Sequence, residues 1–159
     1  MFELIPRFDT ARMESVIHTL IDVAKNDSIP QVSTTYIREL PKLYAEGLGG
    51  DGLPLPSYSD SYAKRNSISL TPKTLKRTDG RLYDMVLDGN LLTVKESDFT
   101  SAKKDGTTRT VSSRVVAHGQ QTGGTGKWGY SNIMFGANQP LQSQAAEELA
   151  SFITERIAA

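Results

Sequence analysis

Apolar residues recur at helical spacing near the start of the chain. One face of the segment after Asp9 carries the apolar positions Met13, Val16, Ile17, Leu20 and Ala24. Steps of three and four residues are typical of an amphipathic helix, and Asp9 or Thr10 can cap its first turn. We therefore predict a first helix with this face in the core, followed by a segment that ends at Pro30.

Helical spacing returns between Thr34 and Glu46, at positions Tyr36, Ile37, Leu40, Leu43 and Tyr44. Pro41 lies inside this pattern and predicts a kink or a break into two short pieces, and Gly47 is a natural stop. Residues 47–61, GLGGDGLPLPSYSDS, concentrate glycine, proline and serine. This composition predicts a long surface loop or an arm.

The middle of the chain favours extended structure. The runs RLYDMVL and NLLTVKES flank the hairpin dipeptide Asp88-Gly89. The run TTRTVSSRVVAH alternates weakly in polarity, and SNIMFG is a further short candidate strand. We predict two or three antiparallel strands from these segments.

A final helix is predicted from Pro140 onward, because proline is favoured in the first turn of a helix. Its broad apolar face holds Leu141, Ala145, Leu149, Phe152, Ile153 and Ile157. The predicted fold is α+β, as a single domain over residues 1–159. In it a small antiparallel sheet is packed by an N-terminal helix or helix pair and by a C-terminal helix, with long extended loops.

Composition narrows the classes of protein further. The 159 residues are 38% hydrophobic, carry 18 basic and 18 acidic side chains, and include no cysteine. Disulfides, thiolate metal sites and cysteine nucleophiles are therefore excluded, and no global field draws the chain to nucleic acid. The start MFELIPRFDT lacks signal-peptide features and no apolar run has the length of a membrane span, so a soluble cytosolic product without membrane contact is expected.

The stretch AHGQQTGGTGKWGY, residues 117–130, contains a glycine-rich loop over residues 119–130. A phosphate-binding P-loop requires glycine five positions before the Gly-Lys pair and a hydroxyl side chain directly after it. Here Gln121 stands at the first position and Trp128 follows Lys127. We therefore expect no nucleotide, cofactor or other small-molecule ligand at this loop.

Other catalytic patterns are weaker. His18 and His118 are the only histidines and lack companions at the spacing of a zinc site, so no metal is expected. Ser112 and Ser113 lie near His118 without a nucleophile-elbow motif. The sequence predicts no catalytic residue and no enzyme.

A locally basic tract offers a nucleic-acid alternative. It contains Lys64, Arg65, Lys73, Lys76, Arg77 and Arg81, with tyrosines at 58, 62 and 83. Such a tract can contact phosphates, but a solvated face or an acidic neighbouring subunit is the favoured interpretation. Trp128 and Tyr130 likewise can stack on a base, although aromatic residues in flexible backbone also anchor protein interfaces.

Four segments in order resemble phage virion morphogenesis and tail-completion proteins, the phage Mu G-like family. They are LPLPSYSDSYAKRN, LKRTDGRLYDMV, AHGQQTGG and NIMFGANQP before a terminal helix. The family carries a proline/serine segment leading to a basic stretch, then "TGrLr-x-Si", "A-x-x-HQ-x-G" and "RpFLG" motifs. In this chain Asp79 is inserted in the second motif, Gln120 stands at the usual histidine and Asn132 at the usual arginine.

The resemblance implies a non-catalytic structural protein of the virion, made in the host cytoplasm and working in the neck or at the head-proximal tail end. It implies a homo-oligomeric ring, with six subunits expected, that contacts neck, tail-tube or tail-terminator proteins and meets DNA only as it passes through the lumen. A tail terminator or a head-closure ring is the alternative, and a nucleic-acid-binding accessory protein is a third. The hypothetical interface residues are Trp128, Tyr130, Lys127, Gly123, Gly124, Gln121, Arg81, Tyr58 and Tyr62.

Overall fold

The computed structural model describes residues 9–57, 60, 63–64, 69, 74–75, 81–102, 105–121 and 134–158. The helices are α1 (Thr10–Asp22), α2 (Ser28–Glu46), α3 (Ser113–Gln121) and α4 (Gln139–Ala158), with a π-helical turn (Val23–Asp27) between the first two. The strands are β1 (Met85–Asp88), β2 (Leu91–Val94), β3 (Asp98–Ala102) and β4 (Thr108–Ser112). The predicted α+β class is confirmed.

The predicted N-terminal helices are present, with corrections at both prolines. Asp9 caps α1, because its carboxylate accepts the backbone N–H of Arg12 at 3.0 Å. Pro30 does not end a segment: it lies in the first turn of α2, directly after the π-helical turn. Pro41 does not break α2 into two pieces. Gly47 ends the helix as predicted, in the left-handed region at φ 82°.

The apolar face of α1 is not in the core, contrary to the sequence prediction. None of its residues is buried, and Met13, Ile17 and Leu20 are exposed. The helix contacts the rest of the chain mainly through the π-helical turn, whose Val23 is buried, and through α4. Ile21 is exposed as well, whereas Val16 is half-buried.

The strands form two separate antiparallel hairpins, β1–β2 and β3–β4. Because Asp88 pairs with Leu91, the first turn is centred on Gly89 and Asn90, one residue later than the predicted dipeptide. Strand β3 was not predicted. The predicted long strand over 107–118 ends at Ser112, where α3 begins. Met134 and Phe135, at the end of the last candidate strand, are not in a strand, and residues 131–133 lie outside the described part.

The core lies between α2, α3, α4 and the first hairpin. Its buried side chains include Leu40, Tyr44, Leu75, Tyr83, Met85, Val94, Ala117, Met134 and Leu141. On α4, Leu141 and Ala145 are buried, whereas Ile157 near the end of the predicted apolar face is exposed. A polar contact also joins α2 and α4, because the Thr35 hydroxyl donates to Glu148 at 2.7 Å and the Arg38 guanidinium donates to the same carboxylate at 2.6 Å.

Candidate functional site

The side chain of Gln121 holds together the two ends of the glycine-rich segment. Its Oε1 accepts the backbone N–H groups of Met134 at 2.9 Å and Phe135 at 2.8 Å, and its Nε2 donates to the Phe135 carbonyl at 3.2 Å. Gln121 is the last residue of α3, so Gly119 and Gln121 belong to a helix rather than to the predicted loop. Residues 122–133 lie outside the described part of the chain. The residues on either side of them, Gln121 and Met134–Phe135, are joined by the hydrogen bonds of the Gln121 amide.

Met134 is also fixed from the opposite side by α2. The Tyr44 hydroxyl donates to the Met134 carbonyl at 2.7 Å, and both residues are fully buried. Burial raises the pKa of the Tyr44 phenol, so the neutral donor form is maintained. A buried carbonyl needs such a partner, because leaving it unpaired costs about 1–3 kcal/mol.

The loop that follows α2 supports the same backbone. A Cβ atom on Gly50 would lie 1.8 Å from the Met134 carbonyl oxygen, and one on Gly136 would lie 2.6 Å from Cβ of Asp51. Only glycine allows these two backbones to approach so closely. Residues 47–57 are thus a loop held against their own chain, with no free arm in this part of 47–61.

Asn138 connects this backbone to α4. Its side-chain oxygen accepts the N–H of Leu141 at 3.1 Å, which is the geometry of a helix N-cap. Asn138 and Leu141 are both buried. We call the assembly of Gln121, Tyr44, Gly50, the backbone of Met134 and Phe135, and Asn138 the loop base.

Positions from the third and fourth segments of the family resemblance meet at the loop base. Ala117 is buried one helical turn before Gln121, whose amide reaches the backbone of Phe135, and Gly136 packs on Asp51. Tyr44, which bonds the Met134 carbonyl from α2, belongs to none of these motifs and could not be identified from the sequence.

A shallow pocket of about 120 Å³ lies beside the loop base, lined by β2, α3 and Phe135. Its cation, Arg114, donates to the Val94 carbonyl at 3.0 Å and to Asp88 at 3.0 Å, and it lies 3.7 Å from Glu96. Two carboxylates therefore compensate the guanidinium charge. Arg114 therefore joins α3 to the first hairpin and is poorly suited to binding an anion in this pocket.

The serine considered as a nucleophile has a structural contact. The buried Ser113 hydroxyl donates to the Lys95 carbonyl at 2.8 Å and accepts the N–H of Ser97 at 3.0 Å. It ties the start of α3 to the connection between β2 and β3. His18 and His118 are both exposed.

Most of the predicted interface residues lie outside the part of the chain that the structure describes. Arg81 is described and exposed, as is Lys64 of the basic tract. Those outside the described residues are Tyr58, Tyr62, Gly123, Gly124, Lys127, Trp128 and Tyr130, together with Arg65, Lys73, Lys76 and Arg77 of the tract. The structure therefore brings Gln121 into the loop base and leaves the other contacts of this set as predictions.

The described residues contain no group of three or more His, Asp or Glu side chains arranged to hold a metal ion. None of their helices combines the length and apolar character that crossing a membrane requires.

A second candidate surface, not predicted from the sequence, is the exposed apolar face of α1. The pattern identified the face, but burial rather than exposure was the expected outcome.

Comparisons of the chain with protein-family models, with curated proteins and with solved structures give no match.

Proposed function

We propose that this protein is a structural virion protein of a tailed phage that acts in tail completion or head–tail joining. It assembles as a ring, with six subunits, at the neck or the head-proximal tail end. The order of the four family-like segments supports this proposal. The single structural observation behind it is the loop base, in which Gln121 clasps the backbone of Met134 and Phe135.

A segment whose flanking residues Gln121, Met134 and Phe135 are bonded to each other is suited to presenting side chains to another subunit. The glycines at 123 and 124 allow close backbone approach, and Trp128 and Tyr130 provide aromatic anchors beside Lys127. No step of this function needs a catalytic group, a metal or a cofactor. A tail terminator or a head-closure ring would use the same kind of contact.

The genetic test removes the protein from the phage that encodes it. Lysates of the null mutant should contain filled heads and polymerised tails that have not joined, or tails without a finished end, as seen by electron microscopy. Normal joined particles would refute the joining role. Empty heads with normal tails would instead indicate a packaging function.

The matched biochemical test compares two substitutions by alanine, one of an aromatic residue and one of an apolar residue. Trp128→Ala should fold normally and weaken ring or interlayer contacts by about 2 kcal/mol, the effect of an interface anchor. Leu91→Ala alters an exposed residue of the first hairpin and is the control. Equal assembly by both variants, measured by light scattering and particle reconstruction, would contradict the proposed loop contact.

The nucleic-acid alternative rests on the exposed Lys64 and Arg81 of the basic tract. It predicts DNA binding that weakens steeply as salt rises, because phosphate contacts release counterions. We expect no such binding in a shift assay between about 50 and 200 mM salt. A strong salt-dependent shift would favour the alternative over the structural role.

A further inference from the structure

Helix α1 carries an apolar stripe that the described part of the chain leaves uncovered. Met13, Ile17, Leu20 and Ile21 are 53%, 50%, 41% and 43% exposed. Helix α4 lies along a different side of α1, where Arg156 pairs with Asp22 at 3.1 Å. Soluble proteins rarely leave a contiguous apolar patch without a partner.

The charges along one edge of this stripe have opposite signs at its two ends. Glu14 and Ile21 are seven residues apart and lie on the same side of α1. Lys25 follows Ile21 by four residues in the π-helical turn that continues α1, where residues four or five apart lie one turn apart, so it extends this side of the helix. Glu14 and Lys25 are exposed, and neither forms an ion pair within the described residues. At about 1.5 Å per residue they are about 16 Å apart, too far to pair with each other.

This edge is complementary to itself when a second helix runs antiparallel. Glu14 then faces Lys25 of the second copy, and Lys25 faces Glu14 of that copy. The midpoint of the two charges lies between Thr19 and Leu20, close to the middle of the apolar stripe.

We propose that a second copy of this chain docks antiparallel on the apolar stripe of α1, around a twofold axis between Thr19 and Leu20. The interface is isologous, so each half contains the same apolar residues and one Glu14–Lys25 pair. The inference goes beyond the proposed function and does not depend on it. Dimers should form in the purified full-length protein.

The test uses charge reversal and sedimentation equilibrium on the full chain. Glu14→Lys and Lys25→Glu should each weaken self-association about tenfold, because each creates two like-charge contacts across the axis. An equimolar mixture of the two variants should recover wild-type affinity, since every reversed charge meets its opposite in the other variant. Glu147→Lys changes an exposed charge on α4 and serves as the control.

A second variant tests the stripe itself. Ile17→Asp should weaken dimerisation at least a hundredfold and leave the helical circular-dichroism spectrum unchanged, because Ile17 has no buried contact to lose. A wild-type chain that stays monomeric at millimolar concentration would overturn the proposal. So would a charge-reversal mixture that associates no better than either variant alone, because the contact would then not be antiparallel.

Discussion

Helices α1 and α2 follow each other in the chain and have the same kind of amphipathic pattern, yet they differ in burial. Helix α2 buries Leu40 and Tyr44 against α4 and the first hairpin. Helix α1 has no buried residue, although its apolar positions keep helical spacing just as regularly. An amphipathic pattern therefore specifies a helix and a face, but it does not specify which surface covers that face.

The largest expected effect comes from the same substitution placed in each helix. Leu40→Ala should lower the free energy of unfolding by about 2–5 kcal/mol, because it removes a buried side chain and leaves a cavity. Leu20→Ala, in α1, should change it by about 0.5 kcal/mol or less when the protein is dilute enough to be monomeric. Urea denaturation monitored by circular dichroism measures both values. Equal losses would mean that the α1 stripe is covered within the free chain.

The next effect tests how rigid the loop base is compared with α1. Gly50→Ala should destabilise the protein by about 3 kcal/mol, since the new Cβ would meet the Met134 carbonyl, a backbone atom that has little room to move. Gly119→Ala is the matched control. Nothing lies within 4 Å of a Cβ at that position in α3, so helix propensity should stabilise it by about 0.8 kcal/mol. A harmless Gly50→Ala variant would show that the loop after α2 can separate from residue 134.

A smaller effect is expected from the hydroxyl that joins α2 to the loop base. Tyr44→Phe should cost about 1–3 kcal/mol, because the Met134 carbonyl loses its 2.7 Å donor in a buried site. Tyr36→Phe changes a half-buried tyrosine of the same helix and should cost less. Thermal unfolding gives the stability loss, and amide exchange at Phe135 reports whether the base opens locally. An unchanged melting temperature and exchange rate would contradict the assigned role of the hydroxyl.

The sequence predicted those elements whose signals are local. The cap at Asp9, the stop at Gly47 and the glycine turn of the first hairpin each act within a few residues. Helix α3 was missed because the β-branched Val115 and Val116 favour a strand. Its start is stabilised instead by the Ser113 hydroxyl, whose partners Lys95 and Ser97 lie in the connection between β2 and β3. A contact of that range leaves no periodicity in the sequence.

Of the loop base, the sequence analysis singled out Gln121 alone. Gln121 was selected as an interface residue from its position in a motif, and the structure gives its side chain three bonds to the backbone of its own chain. Tyr44 and Gly50 were not selected, because the carbonyl that both contact belongs to Met134, far along the chain. Residues separated so widely in sequence can be paired only once the fold brings the backbone of Met134 against α2.

The smallest expected effect is a pH dependence of stability at the α2–α4 contact. The hydrogen bond from Thr35, followed by that from Arg38, lowers the pKa of Glu148 to about 2 from its ordinary value of 4.5. A carboxyl whose pKa is lowered in the folded state stabilises the fold above its unfolded pKa. That stabilisation disappears as pH falls from about 5 towards 2, because the unfolded chain then binds the proton more readily.

Glu148→Gln should therefore be less stable than wild type at neutral pH and should lose part of the acid dependence between pH 5 and 2, measured by urea denaturation at each pH. The loss should be modest, because Arg38 and Glu148 keep 44% and 40% of their side-chain surface exposed and solvent screens the pair. Glu147→Gln removes the same charge from an exposed neighbouring position and should retain the wild-type acid dependence. If both variants follow the same pH profile, the carboxylate of Glu148 does not hold α2 against α4, and apolar packing at Leu40 and Leu141 must account for that junction.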